Sequence, residues 1–268
     1  MPGRRGKNLR SGDLAEELGV LLLKGIAAVA EVPRPEDIGF DGVATLLRED
    51  GSGFLYAEDS FYVQLKSASV GSVAYEGYEA KWLMNLKLPL FIGSVNSKDS
   101  TISLYTTFRL SFMAALEYSN YTKLSLHMQK TEEKSDPKGE RSLNIGPPLL
   151  KWGFEDLQSA EFRKKAYEML KTVIGAEERN IKYRTIRYVE SINWETNERV
   201  GVGGRMMTSR GNVASDMVQL LEAMEPYIRA LSTQFIDTSG KDELDVKAFV
   251  EFVEFMQRYN IYISTIIN

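Results

Sequence analysis

Alternating stretches of helical and strand-like hydrophobic spacing run through the first 110 residues. In the first of them, apolar residues recur every three or four positions behind Ser11, a suitable N-cap, and predict an amphipathic helix. Shorter apolar runs bounded by glycine and proline predict strands. The predicted elements, in order, are a helix at 12–30, strands at 28–32, 40–48 and 60–67, a helix at 75–86, and strands at 88–95 and 101–108.

The strand, helix and strand that span residues 60–95 suggest a parallel crossover in a sheet otherwise built of hairpins. The predicted fold class is therefore α/β with a mixed sheet. We expect this domain, residues 1–130, to end in the polar, Pro- and Gly-bearing stretch 131–148. Residues 150–268 carry mainly helical patterns, with short strands within 180–207. They predict an α-rich accessory region that either completes the first core or forms a separate substrate or partner module.

Composition sets the expected cellular context. The chain has 268 residues, of which 43% are hydrophobic and 26% charged, which is enough for one large core or two modest ones. No apolar run approaches the roughly 20 residues that cross a bilayer. The basic N-terminus leads into an amphipathic helix rather than an apolar signal core, and the absence of cysteine fits a protein without disulfides. We therefore expect a cytoplasmic protein without a membrane segment.

The net charge of −4 argues against a surface that coats nucleic acid along a whole face, because phosphate neutralisation needs many cations there. Contacts with nucleic acid would have to come from local basic clusters, and the alternative for these clusters is ordinary solvated surface charge. The clusters comprise Arg4, Arg5, Lys7 and Arg10 near the N-terminus, and Lys134, Lys138 and Arg141 further on.

The residue inventory removes several kinds of catalysis. The chain contains one histidine, His127, and no cysteine. It cannot build paired-histidine zinc sites, cysteine zinc clusters or a thiolate nucleophile. We expect His127 to be a surface or structural residue, which leaves carboxylate, amide and amine chemistry.

Polar side chains interrupt two neighbouring predicted strands. Asp41 begins one strand between two glycines, and Gln64 and Lys66 lie two positions apart on the next. Alternation along a strand points Gln64 and Lys66 to one face. If the strands pair as a hairpin, the acid, amide and amine converge and could bind a metal ion and a phosphate; the alternative is an exposed polar face. The apolar residues expected on the opposite face are Phe61, Val63 and Leu65.

This combination of groups suits phosphodiester hydrolysis. Mg²⁺ takes oxygen ligands at about 2.0–2.1 Å, usually one or two carboxylates together with waters and phosphate oxygens. Asp41 is the expected principal ligand, with the side-chain oxygen of Gln64 or a backbone carbonyl beside it. Lys66 is the expected amine that orients the attacking water and stabilises transition-state charge.

The segments DIGFDG, residues 37–42, and VQLKS, residues 63–67, together resemble the core of the PD-(D/E)XK nuclease superfamily. The variant is the Mrr-type pattern, in which Gln replaces the second acidic residue. Trp82 on the following helix and the strand within KLPLFIGSVN are similar to the flanking elements of that pattern. The resemblance covers about residues 10–110 and implies a restriction-endonuclease-like core in the order α-β-β-β-α-β.

The resemblance also implies roles for particular residues. Family members carry a glutamate on the first helix, typically four residues after a glycine, and Gly12 and Glu16 fit that spacing. Glu17, at the edge of the apolar stripe, is the alternative. The implied site consists of the Mg²⁺ or Mn²⁺ ligands Glu16, Asp41 and Gln64 and the catalytic residues Lys66 and Gln64.

The function that the resemblance implies is metal-dependent cleavage of DNA, with bacterial restriction or anti-phage defence as its natural context. Such enzymes often act as dimers to cut both strands, so a homodimer is also implied. One rival is a catalytically silent module that binds nucleic acid or a partner protein. Another is an effector subunit that a partner protein keeps inactive until a trigger arrives, with residues 150–268 as the docking surface.

Overall fold

The computed structural model describes residues 7–33, 39–116, 121–133, 139–184 and 188–207, together with isolated helical positions after residue 207. The chain divides into two compact units. The first comprises Met1–Arg184 and Tyr188–Met206, and the second Thr185–Arg187 and Met207–Asn268. The further helices predicted after residue 207 lie largely outside the described residues, and the positions described there are helical.

Helices and strands alternate through the first unit. The helices are α1 (Lys7–Leu23), α2 (Tyr78–Met84), α3 (Arg109–Leu116), α4 (Phe154–Gln158) and α5 (Ala160–Tyr183). The strands are β1 (Ala27–Glu31), β2 (Gly42–Glu49), β3 (Leu55–Ser67), β4 (Ser72–Glu76), β5 (Leu90–Asn96), β6 (Thr101–Thr106), β7 (Lys123–His127), β8 (Glu140–Asn144), β9 (Leu150–Gly153), β10 (Tyr188–Glu195) and β11 (Arg199–Met207). The predicted succession up to β6 is present, with β4 as an additional strand.

The main sheet has six strands in the order β1-β2-β3-β5-β6-β9. Strands β3 and β5 are parallel, with Lys66 opposite Ser94, and α2 lies in the connection between them. The other neighbouring strands in this sheet are antiparallel. The sheet is therefore mixed, and the predicted α/β class is confirmed.

This sheet separates two clusters of buried apolar side chains. Helices α1 and α5 pack on one face, where Phe61, Val63 and Leu65 of β3 join the cluster. Helices α2 and α3 and a three-stranded sheet, β4-β7-β8, cover the other face, where Tyr62 packs. Since β3 contributes to both clusters by alternation, the predicted orientation of its apolar side chains is confirmed.

The leucines of the apolar stripe predicted for α1 differ in burial, and Leu22 is fully buried in the helix-side cluster. Leu14 and Leu21 are 56% and 55% exposed, whereas Ala15 is buried in the helix-side cluster. Gly19 explains the difference, because a Cβ atom there would lie 2.9 Å from Cγ2 of Val95. The small residues let α1 approach the sheet closely, and the helix also starts earlier and ends earlier than predicted.

Residues 150–184 and 188–206, the first part of the predicted accessory region, belong to the first unit. Leu150 of β9 lies opposite Leu104 of β6. The indole N–H of Trp152, which is 1% exposed, donates a hydrogen bond to the carbonyl oxygen of Leu22 at 3.1 Å. Helix α5 contributes buried residues to the helix-side cluster. Strands β10 and β11 pair with each other, which confirms the short strands predicted within residues 180–207. Of the helices that the structure describes, none has the length and apolar character of a membrane-spanning segment.

Candidate active site

Asp41 lies immediately before β2 and forms hydrogen bonds with β3 through both its backbone and its side chain. Its N–H donates to the carbonyl oxygen of Val63 at 2.9 Å. Its carboxylate Oδ2 accepts the N–H of Leu65 at 2.5 Å. Leu65 lies between Gln64 and Lys66, so the carboxylate is drawn to the segment of β3 that carries both predicted partners.

Aromatic stacking fixes the approach of the chain to Asp41. The ring of Phe40 stacks on Tyr62 with centroids 4.1 Å apart and lies 6.2 Å from the ring of Trp82. Gly39 has φ +97°, and a Cβ atom there would lie 2.9 Å from the Trp82 ring. Glycine is therefore needed at this position for its backbone conformation and for its lack of a side chain. Packing of Gly39 and Phe40 therefore holds the GFDG segment in place independently of the hydrogen bonds made by Asp41.

Gln64 is buried and has a partner that the sequence did not predict. Its side-chain Oε1 accepts a hydrogen bond from the hydroxyl of Tyr75 at 2.5 Å. The exposed fractions are 8% for Gln64 and 3% for Tyr75. Burial, followed by the negative charges of Asp41 and Glu79, raises the pKa of the Tyr75 hydroxyl above its usual value. Tyr75 therefore remains protonated and able to donate.

Tyr75 was predicted to begin a helix but belongs to β4. The signal for its true position is the alternation in Ser72-Val73-Ala74-Tyr75, where Val73 and Tyr75 are buried and Ala74 is exposed. Four residues are too few for this period to outweigh the helical pattern that follows. The pairing of β4 with the distant β7 creates the strand.

Lys66 lies two residues beyond Gln64 on β3 and is half-buried. The alternation of the strand places both side chains on the same face. The structure thus brings Asp41, Gln64 and Lys66 to one short stretch of β3 through the bond from Asp41 to the intervening amide.

The two candidate glutamates of α1 have different surroundings. Glu16 is half-buried and lies one helical turn before Gly19, which packs against Leu65 of β3. Glu17 is exposed and precedes by one turn Leu21, which is exposed as well. Glu16 therefore lies at the edge of the helix face that meets β3, and Glu17 lies on the solvent side.

The predicted metal ligands provide carboxylate and amide oxygens, which divalent ions such as Mg²⁺ accept as ligands. Among the described residues, no three histidine, aspartate or glutamate side chains gather closely enough to hold a metal ion. The predicted set has only two carboxylates, Glu16 and Asp41, with the amide of Gln64. Mg²⁺ is commonly held by one or two carboxylates and several waters. Of these ligands, Asp41 also accepts the hydrogen bond from the Leu65 amide. The donor chemistry fits Mg²⁺ or Mn²⁺.

Of the remaining candidates, the structure describes the side chains of His127 and Arg141. His127 ends β7 and is half-buried in the small sheet, between Ser72 of β4 and Asn144 of β8. Arg141 lies on β8 and is half-buried. The other members of the two basic clusters, Arg4, Arg5, Lys7, Arg10, Lys134 and Lys138, have no described side chains.

No family model, curated protein or solved structure matches this chain. The site is characterised by its own geometry: a carboxylate held on a backbone amide of β3, a buried amide held by a tyrosine, and an amine on the same strand.

Proposed function

We propose that the chain is a divalent-metal-dependent nuclease that hydrolyses phosphodiester bonds in DNA. The observation that carries the proposal is the hydrogen bond from the Leu65 amide to Asp41, which joins the carboxylate to the strand bearing Gln64 and Lys66. The element order α1-β1-β2-β3-β4-α2-β5, in which β4 lies outside the main sheet and β3 is parallel to β5, supports a restriction-endonuclease-like core. We propose that core as the finer description of the mixed α/β fold.

The residues divide the chemical work between them. Glu16 and Asp41 would hold Mg²⁺ or Mn²⁺, with Gln64 as a further ligand or a water-positioning group. When bound, the ion polarises the phosphoryl group and lowers the pKa of bound water. Lys66 donates hydrogen bonds to phosphoryl oxygens and stabilises the negative charge that develops on them. The Leu65 amide keeps the Asp41 carboxylate oriented and thereby reduces the entropy lost on binding.

A specific observation also supports a catalytically silent relative of such enzymes. The Gln64 oxygen already accepts a bond from Tyr75, and the predicted ligand set contains only two carboxylates. A module of this kind would bind nucleic acid or a partner protein without cutting. An effector subunit in bacterial restriction or anti-phage defence would instead cut only when its partner or trigger is present.

Cleavage of supercoiled plasmid tests the proposal. We expect purified protein to nick or linearise the plasmid in Mg²⁺ or Mn²⁺, and EDTA, Asp41→Ala and Lys66→Ala each to abolish this. The matched controls are Asp50→Ala and Lys151→Ala, which change an exposed aspartate at the β2–β3 turn and an exposed lysine on β9. Both controls should cut like the wild type. Plasmid that stays intact with every metal would contradict hydrolysis by the isolated chain, and cleavage restored by an added partner would identify the gated subunit.

A further inference from the structure

The side-chain amide of Gln64 has two chemically different ends, and the structure shows which end meets Tyr75. Oε1 accepts the tyrosine hydroxyl at 2.5 Å. Both side chains are more than nine-tenths buried, so the bond is shielded from competing water. The opposite end of the amide is an NH₂ group with two donors.

The NH₂ end of Gln64 has no hydrogen-bond partner among the residues that the structure describes. Within the described part of the chain, Gln64 donates no hydrogen bond to a protein acceptor. Buried polar groups are nearly always satisfied, because an unmatched buried donor destabilises the fold. A bound oxygen atom, from water or from a ligand, would satisfy these donors.

Tyr75 is held firmly enough to set the orientation of its partner. Its strand β4 pairs with β7, where Tyr75 lies opposite Leu124, a fully buried residue. The ring belongs to the cluster under the main sheet and lies 6.4 Å from the ring of Trp82. The hydroxyl therefore has little freedom to leave the Gln64 oxygen.

We propose that Tyr75 is a positioning residue that fixes the Gln64 amide, so that Gln64 acts as a hydrogen-bond donor to a phosphodiester oxygen instead of as an oxygen ligand of the cation. The inference rests on the proposed function for the identity of the ligand. It gives Gln64 a contact with the substrate in place of the predicted metal-ligand or water-positioning role.

A double-mutant cycle tests the coupling without requiring turnover. Binding of a short fluorescein-labelled DNA duplex is measured in Ca²⁺ by fluorescence anisotropy for the wild type, Tyr75→Phe, Gln64→Ala and the double variant. We expect each single change to weaken binding by about tenfold, the effect of losing one buried hydrogen bond to a charged group. The double variant should bind no more weakly than Gln64→Ala, because Tyr75 acts through Gln64. Effects that multiply would overturn the proposal.

Gln64→Glu separates a donor from a metal ligand and leaves Tyr75 in place. A donor role predicts weaker DNA binding, because a carboxylate repels phosphate, with unchanged Mn²⁺ affinity in isothermal titration. A ligand role predicts that the added charge tightens Mn²⁺ binding by about tenfold or more, and this outcome would overturn the proposal. Gln129→Glu, at an exposed glutamine, controls for added charge. If Tyr75→Phe fails to fold, Gln64→Glu alone decides.

The inference and the proposed hydrolysis fail in different ways. A protein that binds DNA with coupled Tyr75 and Gln64, but never cuts plasmid, keeps the inference and loses hydrolysis. A protein that cuts plasmid with independent effects at the two residues keeps hydrolysis and loses the inference. A protein with no affinity for DNA loses both.

Discussion

The hydroxyl group of Thr106 donates a hydrogen bond to the buried carboxyl group of Glu177 and thereby joins the end of β6 to α5. Thr106 is 0% exposed and Glu177 is 3% exposed. Burial raises the pKa of Glu177 to about 8 and outweighs the bond from Thr106, which lowers it. The carboxyl group is consequently protonated and neutral at pH 7.

Stability should fall as pH rises through the range that Glu177 controls. The folded protein keeps this proton up to about pH 8, whereas the unfolded chain loses it near its ordinary pKa of 4.5. The free energy of unfolding therefore decreases between these values, by at most about 1.4 kcal/mol per pH unit from this group. Urea unfolding of the wild type and Glu177→Gln at pH 5, 6, 7 and 8 measures the effect.

Glu177→Gln should flatten the pH dependence, because the amide is neutral throughout. Glu168→Gln, at an exposed glutamate of the same helix, is the matched control and should follow the wild type. Equal slopes for Glu177→Gln and the wild type would contradict a buried proton at this position.

The two glutamates of α1 should differ in their effect on metal affinity. Glu16→Gln removes the carboxylate at the edge facing β3 and should weaken Mn²⁺ binding by about tenfold or more, since an anionic ligand is lost. Glu17→Gln changes an exposed neighbour with the same chemistry and should leave the affinity unchanged. Isothermal titration with Mn²⁺ compares the two variants, and a larger loss for Glu17→Gln would reverse the assignment.

The glycines of α1 should respond in opposite directions to alanine. Gly19→Ala places a Cβ atom 2.9 Å from Val95 and 3.0 Å from Leu65. Overpacking of this kind typically costs about 1–3 kcal/mol. At Gly12 no atom lies within 4 Å of the added Cβ, so Gly12→Ala should gain up to about 1 kcal/mol of helix stability. Melting temperatures test the contrast; equal gains would show that α1 does not approach the sheet this closely.

A chain shortened to residues 1–148 should fail to fold cooperatively. It would lack β9 and α5, and with them Trp152, whose side chain is 1% exposed. Removing one buried tryptophan side chain alone typically costs about 3–5 kcal/mol. A chain of residues 1–206, which keeps the whole first unit, serves as the control and should show a single unfolding transition by circular dichroism. Cooperative unfolding of the shorter chain would contradict this expectation and support the domain boundary predicted from sequence.

The local pattern of apolar, polar and turn-forming residues was sufficient to predict the strands that carry the candidate site. Turn-forming glycines and alternating side chains located β2 and β3, and the succession of strand, helix and strand located the parallel partner β5. The opposite orientations of Tyr62 and Val63 followed from the period of a strand. These properties depend on neighbouring residues, so the sequence displays them directly.

Other features depend on contacts between distant segments. The binding of Tyr75 to Gln64 requires β4, which exists because it pairs with β7 more than forty residues later. The sheet-facing side of α1 contains Ala15 and Gly19, and a count of apolar residues does not reveal that Leu14 and Leu21 lie outside it. The polar stretch 131–148 was predicted to be a loop or linker but contains β8, because the pairing of β8 with β7 leaves no signal in local composition.

The side chains of β3 alternate between two apolar clusters, and this alternation also favours the correct register of β3 during folding. A slip of one residue against its neighbours would turn Lys66 toward the cluster that now holds Leu65, and a buried unpaired ammonium group is strongly unfavourable. The same slip would carry Val63 and Leu65 out of the helix-side cluster. Lys66, proposed as the catalytic amine, thus also penalises misaligned pairing of the central strand and favours the single register in which the site exists.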